Sequence, residues 1–457
     1  GCKTNAYETD VMQQELQQLG YKIVPFDDVA DIYVVNTCSV TNIADHKSRQ
    51  MLHQAKKRNP KAIVVAAGCY VQTGKETLEK DPLVDLLLGN NLKGKLGEAL
   101  EAYFEEQGGA AKEPGVVPAG GRIQADMKSR WVEDINEPHS YEDMLLLHTG
   151  GHTRAEIKIQ DGCNQFCTYC VIPFARGRNR SRKPEAILEE VRKIAEAGYK
   201  EIVLTGIHIS SYGLDFDGKT NVKKGESFPC KHLLALLREI HEVEGIERIR
   251  LGSFEPRIIT EEFVDALAGM PKICHHFHLS LQSGCDSVLE RMNRHYTTAE
   301  YRDSVALLRE KLGNPAITTD VIVGFPGETE EEFETTVKYL EEINFYEMHV
   351  FPYSRRAGTP ADRMGDQLTK AVKEQRVHRL MELRDQQSKA FRESYIGTTQ
   401  PVLFEESKVI DGITYQMGHT KEYIEVAYQA EEDLKGEILD GVLAEDMGNG
   451  IIKFEIG

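Results

Sequence analysis

The chain has 457 residues, 40% of them hydrophobic and 28% charged, with a net charge of −18. That length suggests two or three domains rather than one core; no apolar run is long enough to span a bilayer, and the acidic balance weakens any simple case for nonspecific nucleic-acid binding. Nine cysteines cannot all pair, and their grouping suits metal sites in a reducing, cytoplasmic compartment better than a disulfide framework.

Gly1 is not a natural initiator, so further residues are expected upstream. Residues 5–19 place Met12, Leu16 and Leu19 on one helical face, with Gly20 as the stop. Residues 31–38 form an apolar, β-branched run that reads as a buried strand, and a polar helix follows up to Asn59-Pro60. That helix carries Lys47, Arg49, Lys56, Lys57 and Arg58, which fit either a solvated face or phosphate contact. Residues 62–69 and 84–88 repeat the strand pattern, giving α/β organisation. Cys38 and Cys69 each end such a strand, and Cys2 opens the segment before the first helix, where another strand is expected upstream. Loops at the carboxyl ends of open parallel sheets converge on one crevice, so these three cysteines can meet at a common cluster. Taken singly, each is more often an inert core residue.

Residues 107–121 are a Gly/Pro/Ala-rich break, read as a linker. A second α/β series starts at 155–160 and runs straight into Asp161-Gly-Cys-Asn-Gln-Phe-Cys-Thr-Tyr-Cys170. Cys163, Cys167 and Cys170 can supply three thiolates to a cluster of four irons, leaving one iron open to a substrate or cofactor. A zinc site with a distant fourth ligand and simple burial are the competing readings. Directly after this loop come Arg176, Arg178, Arg180, Arg182 and Lys183, a candidate phosphate-binding run.

Further strands are expected at 201–206, 246–252, 276–281, 317–323 and 346–351, and six strand–helix units suggest a partial parallel barrel with its active site on the carboxyl edge. Thr329 and Glu332 form a capping box ahead of a helix whose buried face carries Phe333, Val337 and Leu340. Residues 371–395 read as a long charged helix, and 399–457 as short strands of a small antiparallel barrel. Cys230, Cys274 and Cys285 lack ligand spacing and read as free thiols. His208, His276, His278 and His349 read as satisfied barrel polar groups.

The loop Cys163-x3-Cys167-x2-Cys170 resembles that of the radical S-adenosylmethionine (SAM) enzymes. Residues 1–5 (Gly-Cys-Lys-Thr-Asn), 35–38 (Val-Asn-Thr-Cys), 68–72 (Gly-Cys-Tyr-Val-Gln), 162–173, 320–329 and 353–361 together resemble the methylthiotransferases of that group over essentially the whole chain. Within the family, 248–255, 281–284 and 349–354 look most like the enzymes acting on N6-threonylcarbamoyladenosine in tRNA.

The resemblance implies methylthiolation at C2 of that adenosine, just 3′ of the anticodon, with two 4Fe–4S clusters and two SAM molecules. Cys163, Cys167 and Cys170 would hold the radical cluster, and Cys2, Cys38 and Cys69 an auxiliary cluster carrying an exogenous sulfur. It places SAM near Thr205, Gly206, Ser253, Glu255, Gln282, Arg294, Asp320 and Val323. It also implies a protein electron donor, a sulfur donor, the tRNA anticodon stem-loop as substrate, a monomer and no membrane partner. The implied domains are 1–106 with the auxiliary cluster, a connecting segment 107–150, a radical-SAM core 151–370, a helix 371–396 and a TRAM-type RNA-binding barrel 397–457. Rival readings are methylthiolation of isopentenyladenosine in tRNA or of a ribosomal-protein aspartate, and a noncatalytic iron–sulfur RNA-binding or redox-sensing protein. One departure stands out: residues 397–457 hold 4 Lys or Arg against 13 Asp or Glu, a net of −9. RNA recognition there would fall to His419, Lys421 and Tyr423, by base stacking more than phosphate contact.

Overall fold

The computed structural model describes residues 2–107, 128–137, 139–147 and 152–456. From residue 108, the expected linker lies outside the described residues.

Three parallel strands, β1 (Ile32–Thr37), β2 (Ile63–Gly68) and β3 (Leu86–Leu88), form the amino-terminal sheet in that order. β2 is buried along its whole length, whereas β1 alternates buried and half-buried positions. A continuous Ile-Val-Val-Ala-Ala run suits a central parallel strand covered on both faces. Thr41 caps the helix Asn42–Arg58, accepting from the Ala44 amide at 3.1 Å. Lys56 pairs with Asp85 at 2.7 Å and Arg58 with Asp27, so two cations of this segment are engaged while Lys47 and Lys57 stay exposed.

The central region is built on parallel strands. β4 (Arg154–Lys158), β7 (Glu201–Thr205) and β8 (Arg248–Leu251) make one sheet; β9 (His276–His278), β10 (Ala316–Val323) and β11 (Glu347–Pro352) make another. Parallel bridges Ile249 to Ile273 and Phe254 to Leu279 connect the two. A short antiparallel pair, β5 (Gln160–Asp161) and β6 (Arg180–Ser181), brackets the cysteine loop. Both bonds of the Thr329/Glu332 capping box form, at 3.2 and 3.0 Å, and fix the start of the helix Glu330–Ile343. Such a cap stabilises a helix by about 1 kcal/mol. Phe333, Val337 and Leu340 on its inner face are buried against the sheet.

The helix Lys370–Glu393 leads into a closed barrel of β12 (Thr399–Ile410), β13 (Ile413–His419), β14 (Glu425–Gln429), β16 (Ile451–Glu455) and β15 (Ile438–Gly448), in that spatial order. Every neighbouring pair is antiparallel except β14 with β16. An all-antiparallel barrel is ruled out by topology, because five strands in a ring cannot alternate direction at every junction. The barrel is filled by Val402, Phe404, Val426, Leu443, Ile452 and Phe454. No helix among the described residues is long and apolar enough to cross a membrane.

Candidate functional site

The Cys163–Cys170 loop leaves the carboxyl end of β4 through a constriction that admits only glycine. Gly162 has φ +71°, and a Cβ there would lie 1.8 Å from the Arg178 carbonyl oxygen. The Cys163 amide donates to the Gly177 carbonyl at 3.0 Å, so the following segment folds back over the loop. Gln160 ties the same loop to the turn after β7: its Nε2 donates to the carbonyls of Asp161 and Gly162, while its Oε1 accepts from the amides of Ile207 and His208. On the far side, Thr168 donates its amide to the Met292 carbonyl, and its own carbonyl accepts from Ala361 at 2.9 Å.

Arg294 donates from Nη1 to Cys167 Sγ at 3.1 Å and from Nε to the Tyr296 hydroxyl at 3.0 Å. Burial pushes the Cys163 thiol well above its ordinary value, with repulsion from Cys167 and Cys170 adding to it. The Cys170 thiol is likewise pushed up to about 12 by burial, then by Cys167. Such thiols are held together as thiolates only by a strong cation, as metal binding requires. A single tetrahedral zinc would bring its sulfurs to about 3.8 Å from one another at ~2.3 Å bonds. Among the described residues, only His278, Asp320 and His349 bring three potential ligand atoms within 4.8 Å of one another. The wider cysteine set therefore fits a cluster better than one ion.

Cys2, Cys38 and Cys69 lie at the carboxyl edge of the amino-terminal sheet. Cys2 caps the helix Lys3–Gln18, Cys38 follows β1 and Cys69 opens the helix after β2. Neighbours in the same short motifs stitch the three segments together. Asn5 Nδ2 donates to the Thr37 carbonyl, Asn36 Nδ2 to the Asn5 carbonyl, and Thr37 Oγ1 both donates to Ala67 and accepts from the Tyr70 amide. Arg176 exerts its field on both Cys2 and Cys69.

Arg176 also belongs to a buried ion network joining the two cysteine-bearing units. Glu8 receives Lys158 at 2.8 Å, Arg176 at 2.8 and 2.9 Å, and Lys93; Asp161 receives Lys158 at 2.6 Å and Arg176 at 3.2 Å. Sequence reading missed Glu8, Lys93, Lys158 and Gln160. A lysine within the apolar run 155–160 was the available signal, since a buried ammonium demands partners.

This geometry corrects the reading of the 176–183 run. Arg176, Arg180 and Arg182 are buried: Arg180 donates to Asn91 at 3.0 Å, and Arg182 pairs with Asp143 at 2.7 Å and with Glu190. Only Arg178 and Lys183 of that run are exposed, with Arg178 lying over the Phe166 ring. Five cations next to one another on a surface repel; alternating them inward against acids removes that cost.

Of the residues considered for SAM, Thr205 ends β7 and Gly206 follows it, Ser253 and Glu255 follow β8, and Gln282 bridges to Val321 of β10, two residues before Val323 at that strand's carboxyl end. Ser253 is exposed; Glu255 is buried, and although burial opposes it, His208 and Arg257 hold its carboxyl down at about 2. Val323 is wholly buried and offers only apolar contact. Asp320 lies deeper in the sheet, 3.3 Å from His278 Nε2. A cavity of about 480 Å³ beside the loop is lined by Lys223, Asn293, Arg294 and His295.

At the amino ends of the strands, the carboxyl-terminal barrel inserts its 419–423 loop. Arg248 donates to the carbonyls of His419 and Pro401, and Arg250 to that of Lys421. Tyr423 stacks on His419 and His276, with ring centroids 4.5 and 5.2 Å apart, and Lys421 donates to the Pro271 carbonyl at 2.7 Å. Between the three units opens a cleft of about 410 Å³, lined by Lys3, Arg154, Glu156, Val203, Tyr423 and Lys435 among others.

Residues 157–340 match the family described as the Radical SAM superfamily, and residues 1–89 match one described as Uncharacterized protein family UPF0004. The threonylcarbamoyladenosine tRNA methylthiotransferase MtaB of Bacillus subtilis is 41% identical over 96% of this chain and 91% of its own length. The chain belongs to the radical-SAM methylthiotransferase family. A more distant member, the tRNA-2-methylthio-N(6)-dimethylallyladenosine synthase of Carboxydothermus hydrogenoformans, is 32% identical over 96% of this chain and 94% of its own. Among solved structures, the radical SAM methyltransferase TsrM from Kitasatospora setae superposes with a TM-score of 0.50 at 17% identity, covering 78% of this chain and 74% of that one. This last likeness speaks to the fold alone. As a radical-SAM methylthiotransferase the protein is an enzyme that uses SAM and 4Fe–4S chemistry.

Proposed function

We propose that this methylthiotransferase acts on C2 of N6-threonylcarbamoyladenosine, 3′ of the anticodon in tRNA, to give the 2-methylthio derivative. The observation that carries the reading is the joining of two cysteine triads through one buried ion network, whose acids and bases come from both units. Cys163, Cys167 and Cys170 would hold the SAM-binding 4Fe–4S cluster, and Cys2, Cys38 and Cys69 a second. When bound, these groups supply radical cleavage of SAM at one site and a transferable sulfur at the other.

The chain's own residues position that chemistry. Arg294 fixes Cys167 by its hydrogen bond and adds positive charge beside the sulfur. Thr205, Gly206, Ser253, Glu255, Gln282 and Val323 form the walls offered to SAM at the carboxyl ends of the strands, and Asp320, three residues below the end of β10, lies beneath them. The modified base enters through the 410 Å³ cleft, passing Lys3, which adjoins Cys2, and the edge of the Tyr423 ring. The central strands belong to a partial (β/α)6 barrel, the carboxyl-terminal barrel is of TRAM type, and the domain limits are 1–106, 151–370 and 397–457. The enzyme works in the cytoplasm as a monomer, with a reducing protein and a sulfur donor as partners.

Identity favours the threonylcarbamoyl substrate over the dimethylallyl one, 41% against 32% over the same share of this chain. The test is anaerobic reconstitution with reductant, SAM, sulfide and tRNA, with and without the threonylcarbamoyl group, followed by nucleoside mass spectrometry. A methylthio gain confined to the threonylcarbamoyl form is the expected result. Release of 5′-deoxyadenosine without that product overturns the substrate, and absence of both overturns the catalytic reading.

A further inference from the structure

His278, Asp320 and His349 stand on three adjacent strands, β9, β10 and β11, and bring one polar atom each within 4.8 Å of the others. His278 is committed on both ring nitrogens, Nδ1 to Thr318 Oγ1 at 3.0 Å and Nε2 to Asp320 at 3.3 Å. His349 stacks on it, centroids 5.9 Å apart, is exposed, and has no hydrogen-bond partner for its ring among the described residues. Asp320 is three residues short of the end of β10, so this cluster lies about 10 Å below the strand ends that face the cysteine loop. Lys3, next to Cys2, lines the 410 Å³ cleft together with Glu156, Val203 and Tyr423, and His276, two residues before His278 on β9, stacks on that same Tyr423. An adenine admitted there presents C2 and N6 on either side of N1, pointing apart.

We infer that His349, with Asp320 held by His278, receives the substituent on N6 and sets the choice between a polar and a hydrocarbon group. This rests on the threonylcarbamoyl reading. That substituent brings urea, hydroxyl and carboxylate groups, which can donate to Asp320 and accept from His349. A dimethylallyl group offers neither, and would cover the His349 ring without giving it a partner, at about 1–3 kcal/mol. Sites built to hydrogen-bond a substrate reject analogues lacking the partner far more strongly than apolar pockets discriminate by size.

The experiment uses full-length, cluster-loaded enzyme and anticodon stem-loop RNA carrying either threonylcarbamoyl- or dimethylallyladenosine. The quantity read is the ratio of kcat/KM on the two RNAs, normalised to SAM cleavage in the same preparation. His349→Leu should lower that ratio at least about tenfold, chiefly by raising KM on the threonylcarbamoyl RNA, while His349→Gln, which keeps a donor, should hold it within about threefold. A ratio unchanged within about twofold in His349→Leu, with the wild type still preferring threonylcarbamoyl RNA, overturns this inference alone. A wild type that cleaves SAM but methylthiolates only the dimethylallyl RNA overturns the functional reading and this inference with it.

Discussion

Replacing Glu8 by Gln should loosen the amino-terminal unit from the parallel sheet more than any surface change could. Glu8 is fully buried and is the carboxylate that Lys93 pairs with, and it also receives Lys158 and Arg176. The variant takes from Lys93 the carboxylate it pairs with and leaves Lys158 and Arg176 to Asp161 alone. Removing one partner of a buried ion pair costs about 3–5 kcal/mol, because the remaining charge is stranded. Trp131, the chain's one tryptophan, pairs with Leu88 of β3 and accepts from the Gly89 amide at 2.8 Å, so its fluorescence reports unfolding of this unit. With a urea dependence of about 1–3 kcal/mol per molar, the midpoint should fall by about 1 M or more; a shift under about 0.3 M would refute the network's role.

The pH dependence provides a second check with a definite sign. Burial pushes the Glu8 carboxyl up, but Arg176, Lys158 and Lys93 together overcome that and hold it well below its ordinary 4.5. A carboxylate with a depressed folded value stabilises fully above the unfolded value and loses that contribution as pH falls through the folded one. The gap between wild type and Glu8→Gln should therefore be constant from pH 6 to 8 and narrow only below about pH 4.5. A gap that widens on acidification contradicts the charge assignment.

Gly162→Ala should lower bound iron from about eight to about four per chain, since the added carbon would strike the Arg178 carbonyl; colorimetric iron analysis after anaerobic reconstitution checks it. Cys167→Ala should abolish 5′-deoxyadenosine formation, whereas Cys38→Ala should retain it and lose methylthiolation; normal product from the Cys38 variant would remove the second cluster from the scheme. Lys435→Glu, at the rim of the 410 Å³ cleft, should weaken tRNA binding and flatten its salt dependence by about 0.7–0.9 in log–log slope, measured by filter binding, while Arg178→Glu at the far edge changes it less. The reverse order of effects would move RNA entry to the carboxyl face.

The strands were legible from their β-branched and apolar residues, unbroken in β2 and interrupted only by Thr318, Thr319 and Asp320 in β10, and both fall within two residues of the expected spans. The cysteine loop was legible for a different reason, as its spacing has few other uses. What stayed hidden was pairing over long sequence separations. Arg176 and Glu8 are 168 residues apart, and nothing local distinguishes an inward arginine from an outward one. A cationic run read by composition alone therefore looked like a phosphate site, although three of its five members neutralise buried acids. The grouping of the histidines was hidden for another reason: singly each is an ordinary polar residue, and only the register of β9, β10 and β11 brings His278, Asp320 and His349 to one point.

The acidity of the carboxyl-terminal barrel also becomes intelligible from its placement. Of its four cations, Lys421 is tied to the Pro271 carbonyl and Lys453 pairs with Glu445 and Glu455, so little positive charge is left to face a phosphate backbone. Yet the barrel is anchored through charge of the opposite kind: Glu405 receives Arg154 at 3.2 Å, Glu437 receives Lys200 at 2.9 Å, and backbone carbonyls receive Arg248 and Arg250. Its acids thus serve docking against a basic floor at the amino ends of the strands. Docked there, it fixes Tyr423 between two imidazoles and beneath the guanidinium groups of Arg154 and Arg250, at 4.9 and 4.8 Å. With both faces covered, that ring gives the cleft a fixed aromatic edge that loses little entropy when a base packs against it, and such contact needs no net positive charge. Shape and an ordered aromatic can then do at this cleft what a lysine-rich surface does elsewhere.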